Sequence, residues 1–190
     1  MLLLRAILIL GLFAGLVKPA KSRWLVQKNS TIRIAGSTNV NSFCCHVNEY
    51  IGSDTITLSA SGASLGVLTV DIERFSCNNR IMTGEFKRTL KYQQYPQLKI
   101  VFVSLEKVPA FSATPEIIRG WVEVDLAGLS RKFEVMYTSC RTNDENVDLV
   151  GSRTFGFSDF GLTPPRKMGG LIRVNDRLDV EFTLHLHQIN

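Results

Sequence analysis

From Leu178 to Leu186 the chain alternates without a break. Leu178, Val180, Phe182, Leu184 and Leu186 are apolar, and Asp179, Glu181, Thr183 and His185 between them are polar. Successive side chains of a strand point to opposite faces, so this segment is a strand with one dry face and one wet face. The same period recurs upstream. Val122, Val124 and Leu126 are opposed by Trp121, Glu123 and Asp125, and Phe133, Val135 and Tyr137 follow across Ala127-Gly128-Leu129-Ser130, a hairpin turn. Leu98 to Val103 is apolar on both faces for part of its length. Shorter strands are predicted at Trp24–Val26, Thr31–Ile34, Val40–Val47, Thr55–Leu58, Leu65–Ile72 and Val147–Phe157. Ser59–Gly66 and Thr163–Gly170 read as loops, and Leu171–Val174 is expected to pair with Leu178–Gln188 across a turn at Asn175-Asp176.

One segment departs from this period. Asn78 or Asn79 can cap a helix, Ile81, Met82, Phe86, Thr89 and Leu90 fall near helical spacing, and Tyr95-Pro96 stops it. The fold class is therefore all-β with one helix. With so little helix to cover them, about eight strands are expected to close into an eight-stranded antiparallel barrel, with a β-sandwich as the competing arrangement. At this size the interior is either filled by side chains or holds one small ligand, and periodicity does not distinguish the two.

Residues 1–22 are read as a signal peptide and residues 23–190 as the domain. Arg5 precedes an apolar run from Ala6 to Val17, and Ala20 and Ser22 are small residues before a cut after Ser22. The run is shorter than the roughly 20 residues that span a bilayer, so no transmembrane segment is expected after its removal. Of the 22 basic residues, Arg5, Lys18 and Lys21 lie in this leader, which leaves 19 against 17 acidic residues. Those 19 are scattered, so no nucleic-acid partner is expected. Export places Cys44, Cys45, Cys77 and Cys140 in an oxidising compartment. Disulfides are favoured over a zinc site because no Cys-x-x-Cys pair is present, and three full pairings are open.

Catalytic signals are weak, and no catalytic residue, metal or cofactor is assigned. Cys44 and Cys45 beside His46 offer a thiol and a base, but nothing marks a third, aligning group. His185 and His187 share a face with Glu181 and Asp179, and that face is the wet one. Gly62-Ala63-Ser64-Leu65-Gly66 lacks the following helix that a phosphate-binding loop or a serine nucleophile elbow needs. What remains is the dry interior. Its candidate ligand-binding residues are Ile100, Phe102, Val122, Val124, Leu126, Phe157, Phe160, Val180, Phe182 and Leu184. Arg80, Lys87, Arg88 and Lys91 form a solvated helix face, with a basic rim near an anionic head group as the competing reading. Arg166 and Lys167, in the loop following Ser158, are candidates to meet a head group. Trp121, Val101 and Val103 would form an outward patch fit for a protein partner or a homodimer.

Four stretches in order carry a family resemblance. They are Gly36-Ser37-Thr38-Asn39-Val40-Asn41-Ser42-Phe43 with Cys45; Met82–Leu90 leading to Tyr95-Pro96 and Ile100–Phe102; Gly120–Leu126 with Gly128, Ser130 and Arg131; and Phe157-Ser158-Asp159-Phe160-Gly161-Leu162. Across almost the whole mature chain the sequence resembles the YceI-like family of exported, lipocalin-like polyisoprenoid-binding proteins. It departs at Lys87-Arg88-Thr89-Leu90, where commoner members carry histidine or aspartate. The resemblance implies a non-enzymatic lipocalin-like barrel holding a polyisoprenoid or similar long-chain amphiphile, for transport or storage. It also implies a bacterial periplasmic or secreted location and a disulfide between Cys45 and Cys77.

Overall fold

The computed structural model describes residues 21–59 and 62–189. The expected signal peptide, residues 1–22, therefore lies outside the described residues, apart from Lys21 and Ser22, which begin the first strand. The strands are β1 (Lys21–Val26), β2 (Thr31–Thr38), β3 (Ser42–Val47), β4 (Thr55–Ser59), β5 (Ala63–Asp71), β6 (Ser76–Cys77), β7 (Gln97–Leu105), β8 (Glu116–Leu126), β9 (Leu129–Arg141), β10 (Asn146–Phe155), β11 (Arg166–Lys167) and β12 (Ile172–Ile189). One α-helix, α1 (Arg80–Thr89), lies between β6 and β7.

The twelve strands form one antiparallel sheet in the order β1-β4-β5-β7-β8-β9-β10-β12-β2-β3-β6, apart from β11, which pairs with β12. β1 also pairs with the end of β12, Val26 opposite Leu186 and Arg23 opposite Ile189. This seam returns the sheet to its start through β1, β4, β5, β7, β8, β9, β10 and β12, the curled barrel expected from the sequence. The remaining strands extend it at one end. Alternation sets which side faces inward. On β12, Leu178, Phe182, Leu184 and Leu186 are buried while Asp179 and Glu181 are exposed. On β8 the buried set is Ile118, Gly120, Val122 and Val124.

Turn chemistry fits the hairpins. Between β8 and β9 only Ala127 and Gly128 intervene, both at positive φ (53° and 83°), the two-residue geometry whose twist matches the strands it joins. Two loop expectations are corrected. Residues 63–66 belong to β5, not to a loop. At Gly66 the sheet is crowded, and a Cβ there would lie 3.0 Å from the Thr55 carbonyl oxygen. Asn175-Asp176 is not a hairpin turn either. β12 runs through it as one strand, with a register shift between Val174 (opposite Thr38) and Leu178 (opposite Gly36). A bulge and a turn use the same polar residues, so composition does not separate them. The bulge frees Asp176 to accept bonds from the Ser158 backbone N–H and hydroxyl.

Helix α1 is capped by Asn79, whose side chain accepts from the Met82 backbone N–H at 2.9 Å. Phe86 and Leu90 are its buried residues toward the barrel, and the Phe86 ring meets Phe75 edge-on at 5.6 Å. Cys45 and Cys77 lie opposite each other in register and form a disulfide, with Cys44 and Cys140 free. The Cys77 N–H donates to Thr83 Oγ1, so the bridge fastens the start of the helix to the sheet. Among the described residues no helix is long and apolar enough to cross a membrane.

Candidate binding cavity beneath the helix

The inward faces of β2, β7, β8, β10 and β12 enclose a cavity at the end of the barrel covered by α1. Eight of the ten interior candidates line it: Ile100, Val122, Val124, Leu126, Phe157, Phe160, Val180 and Phe182. Phe102 and Leu184 are buried but do not reach it. Phe86 and Leu90 of the helix supply its cover, which periodicity along single strands does not reveal.

The cavity volume is about 80 Å³, on a scale where one water needs roughly 10–15 Å³. It accepts a short stretch of hydrocarbon. What limits it is a layer of aromatic rings. Phe102, Tyr137 and Phe182 stand 5.8–6.4 Å apart between centroids and cross the barrel. Beyond Phe182, Leu184 faces Leu149 and Leu186 faces Val147, all buried. That half of the interior is a packed core. Its polar members include the Tyr137 and Ser139 hydroxyls, which are buried without a partner among the described residues. Burial pushes the Tyr137 phenol well above its ordinary range, so it is neutral near pH 7.

Outside the cavity lies a second, shallower groove between α1, the β2–β3 turn and the start of β12. Phe86 and Phe157 line both spaces, so these two rings are the wall between them. Val40, Ile81 and Ile172 are apolar members of the outer groove, and the first two are well exposed. The 3-10 turn Ser158–Phe160 supports Phe157 and Phe160. It is held by the Gly156 N–H donating to Asp159 and by the Asp176 carboxylate. The Ser158 hydrogen bonds keep Asp176 below the usual carboxylate range.

The basic residues singled out in the sequence stand elsewhere. Lys167 is paired with Glu85 of α1 at 2.7 Å, and Arg166 is exposed on β11. Arg88 also pairs with Glu85. The charged residue that does line the cavity is Arg153 of β10. It occupies an inward position between Gly151 and Phe155, in register with Val180. Its guanidinium carbon is 4.9 Å from the Phe133 ring centroid and 5.7 Å from that of Phe155. His185 bonds Asp148 at 2.6 Å and His187 bonds Asn146 at 3.1 Å on the outer side of the sheet. Among the described residues no three metal-ligating side chains cluster. Trp121, Val101 and Val103 are half-buried, and Ile117 is the more exposed apolar residue of β8.

No family pattern matches the sequence, and no curated protein matches it. Solved structures do match. A polyisoprenoid-binding domain from Saccharophagus degradans, implicated in plant cell wall breakdown, superposes with a TM-score of 0.65 at 12% identity, over 90% of this chain and 99% of that one. BcnA of Burkholderia cenocepacia matches with a TM-score of 0.63 at 15% identity, over 82% of this chain and 95% of its own. A mutant CJ YceI protein matches with a TM-score of 0.57 at 15% identity, over 73% and 81%. The chain thus has the fold of YceI and polyisoprenoid-binding domains.

Proposed function

We propose that this chain is an exported, non-catalytic YceI-like protein that holds a polyisoprenoid or similar amphiphile for transport or storage. The observation that carries the reading is the apolar cavity beneath α1, which shares Phe86 and Phe157 as lining with an apolar surface groove. Each CH₂ sheltered there contributes about 0.8 kcal/mol, so a tail binds without many polar contacts. Rotation of the two shared rings joins groove to cavity and gives a chain a route inward. The fold it shares with a polyisoprenoid-binding domain supports the same reading.

The packed half of the barrel favours a second reading, a filled structural module with a protein partner. One experiment separates the two. Purified protein is extracted with organic solvent, the extract is analysed by mass spectrometry, and the delipidated protein is titrated with farnesol. A reproducible lipid, or saturable binding weakened by Val124→Trp in the cavity wall, supports ligand binding. An empty protein that ignores added farnesol sinks it and leaves the filled module.

A further inference from the structure

Arg153 is a half-buried charge at an inward position of β10, on the wall of an otherwise apolar cavity. Alternation along β10 turns Val147, Leu149, Gly151, Arg153 and Phe155 inward, and the first three are buried. A guanidinium carries five N–H donors and a permanent charge. Within the described residues, its hydrogen bonding amounts to one Nη1 bond to the Glu134 backbone carbonyl at 2.5 Å. Its Nε is buried with no partner. Among the described residues no carboxylate pairs with it, and the Glu134 carboxylate lies with Arg119 instead. Phe133 and Phe155 hold the guanidinium by their ring faces, an attraction that orients it and leaves its charge uncancelled. Charges drawn toward an apolar interior are ordinarily paired.

We infer that Arg153 is the head-group site of the cavity and selects amphiphiles with an anionic oxygen-rich end, a phosphate or carboxylate, over neutral ones. This rests on the proposed lipid-binding function and names the ligand class within it. The tail would lie against Val124, Val180 and Phe182, and the anion would meet the free guanidinium donors beside Phe155 and Gly156. A charge-assisted, two-pronged contact of that kind is the strong form of hydrogen bond.

Calorimetric titration with farnesyl diphosphate, farnesol and inorganic diphosphate tests it, using the delipidated wild type, Arg153→Met and Arg153→Lys. The wild type is expected to prefer farnesyl diphosphate to farnesol by about ten- to hundredfold. Arg153→Met should lose the preference while keeping its farnesol affinity, which also certifies its fold, and Arg153→Lys should keep part of it. Equal affinities in the wild type, or a preference that survives in Arg153→Met, overturn the assignment while lipid binding stands. Inorganic diphosphate competing as well as farnesyl diphosphate overturns it too, because the site then reads a free anion. If neither farnesyl compound binds the wild type, the lipid-binding reading falls and this assignment with it.

Discussion

Gly151 is glycine because Phe182 fills its place. A Cβ there would come within 2.1 Å of the Phe182 ring, so the ring that floors the cavity lies directly on the β10 backbone. Gly151→Ala pushes that ring toward the cavity, and overpacking of this kind costs about 1–3 kcal/mol. A lowered urea midpoint together with weaker farnesol binding is the expected outcome, and an unchanged midpoint would show that the ring gives way freely. Tyr137, in the same layer, carries a buried hydroxyl with no partner among the described residues. An unsatisfied buried group costs roughly 1–3 kcal/mol, so Tyr137→Phe should leave stability unchanged or raise it by about 1 kcal/mol. The phenol also gives a pH signature. Burial raises its pKa in the folded state, as burial and then Asp54 do for Tyr50. Groups raised on folding contribute stability below their unfolded pKa and lose it as pH rises toward the folded value. Alkaline unfolding above the ordinary phenol range should therefore coincide with a late absorbance step from these two tyrosines, and should weaken in Tyr137→Phe.

At the scale of elements, α1 is a cover fixed at its start and latched at its middle. Its start is fixed by the Asn79 cap and by the Cys45–Cys77 bridge across 32 residues. Loop closure of this length contributes about 3–4 kcal/mol on the chain-entropy account, which Cys45→Ala with Cys77→Ala should remove. Thiol titration in denaturant should find two thiols without reductant and four with it. The latch is Glu85, which holds Lys167 and then Arg88 and sits below the usual carboxylate range because of them. A lowered folded pKa means that the contact is present at neutral pH and is lost as pH falls below the ordinary carboxylate range. The pair is partly exposed, so its effect on global stability is small. Hydrogen exchange in residues 166–172 is the sensitive readout. Protection there, corrected for the intrinsic pH dependence of exchange, should fall in acid and in Glu85→Gln at neutral pH. Much of this element was legible in the sequence: the asparagine cap and the spacing of Phe86 and Leu90 are local signals, although α1 ends at Thr89, before the expected stop at Tyr95-Pro96. The latch was not, because Lys167 and Glu85 meet only after the chain has gone round the barrel. Arg153 is a different case. Its place in the run Val147, Leu149, Gly151, Arg153, Phe155 is a period-two signal that identifies an inward charge, provided odd positions are counted through a glycine.

For the whole molecule, the alternating closing strand settles the wall of the barrel without settling what the wall encloses. Leu178, Val180 and Phe182 face the cavity, and Leu184 and Leu186 continue the same pattern into a packed core. The change occurs at the aromatic layer, where side chains from three strands far apart in sequence meet across the interior. Period-two patterning holds no information about that depth. On the proposed function, the layer would set the length of chain the cavity takes. Replacing Phe182 with Leu removes one side of the layer and leaves space toward Leu149 and Leu184. A truncation of this kind in a core costs up to a few kcal/mol, and leucine keeps the loss below that of alanine. The expected result is a protein that still folds and shifts its preference from the fifteen-carbon farnesol toward the twenty-carbon geranylgeraniol, measured by competition between the two and mass spectrometry of the bound fraction. A folded Phe182→Leu protein that keeps the wild-type ratio would mean that the stop for the chain lies elsewhere, at Phe102 or above it.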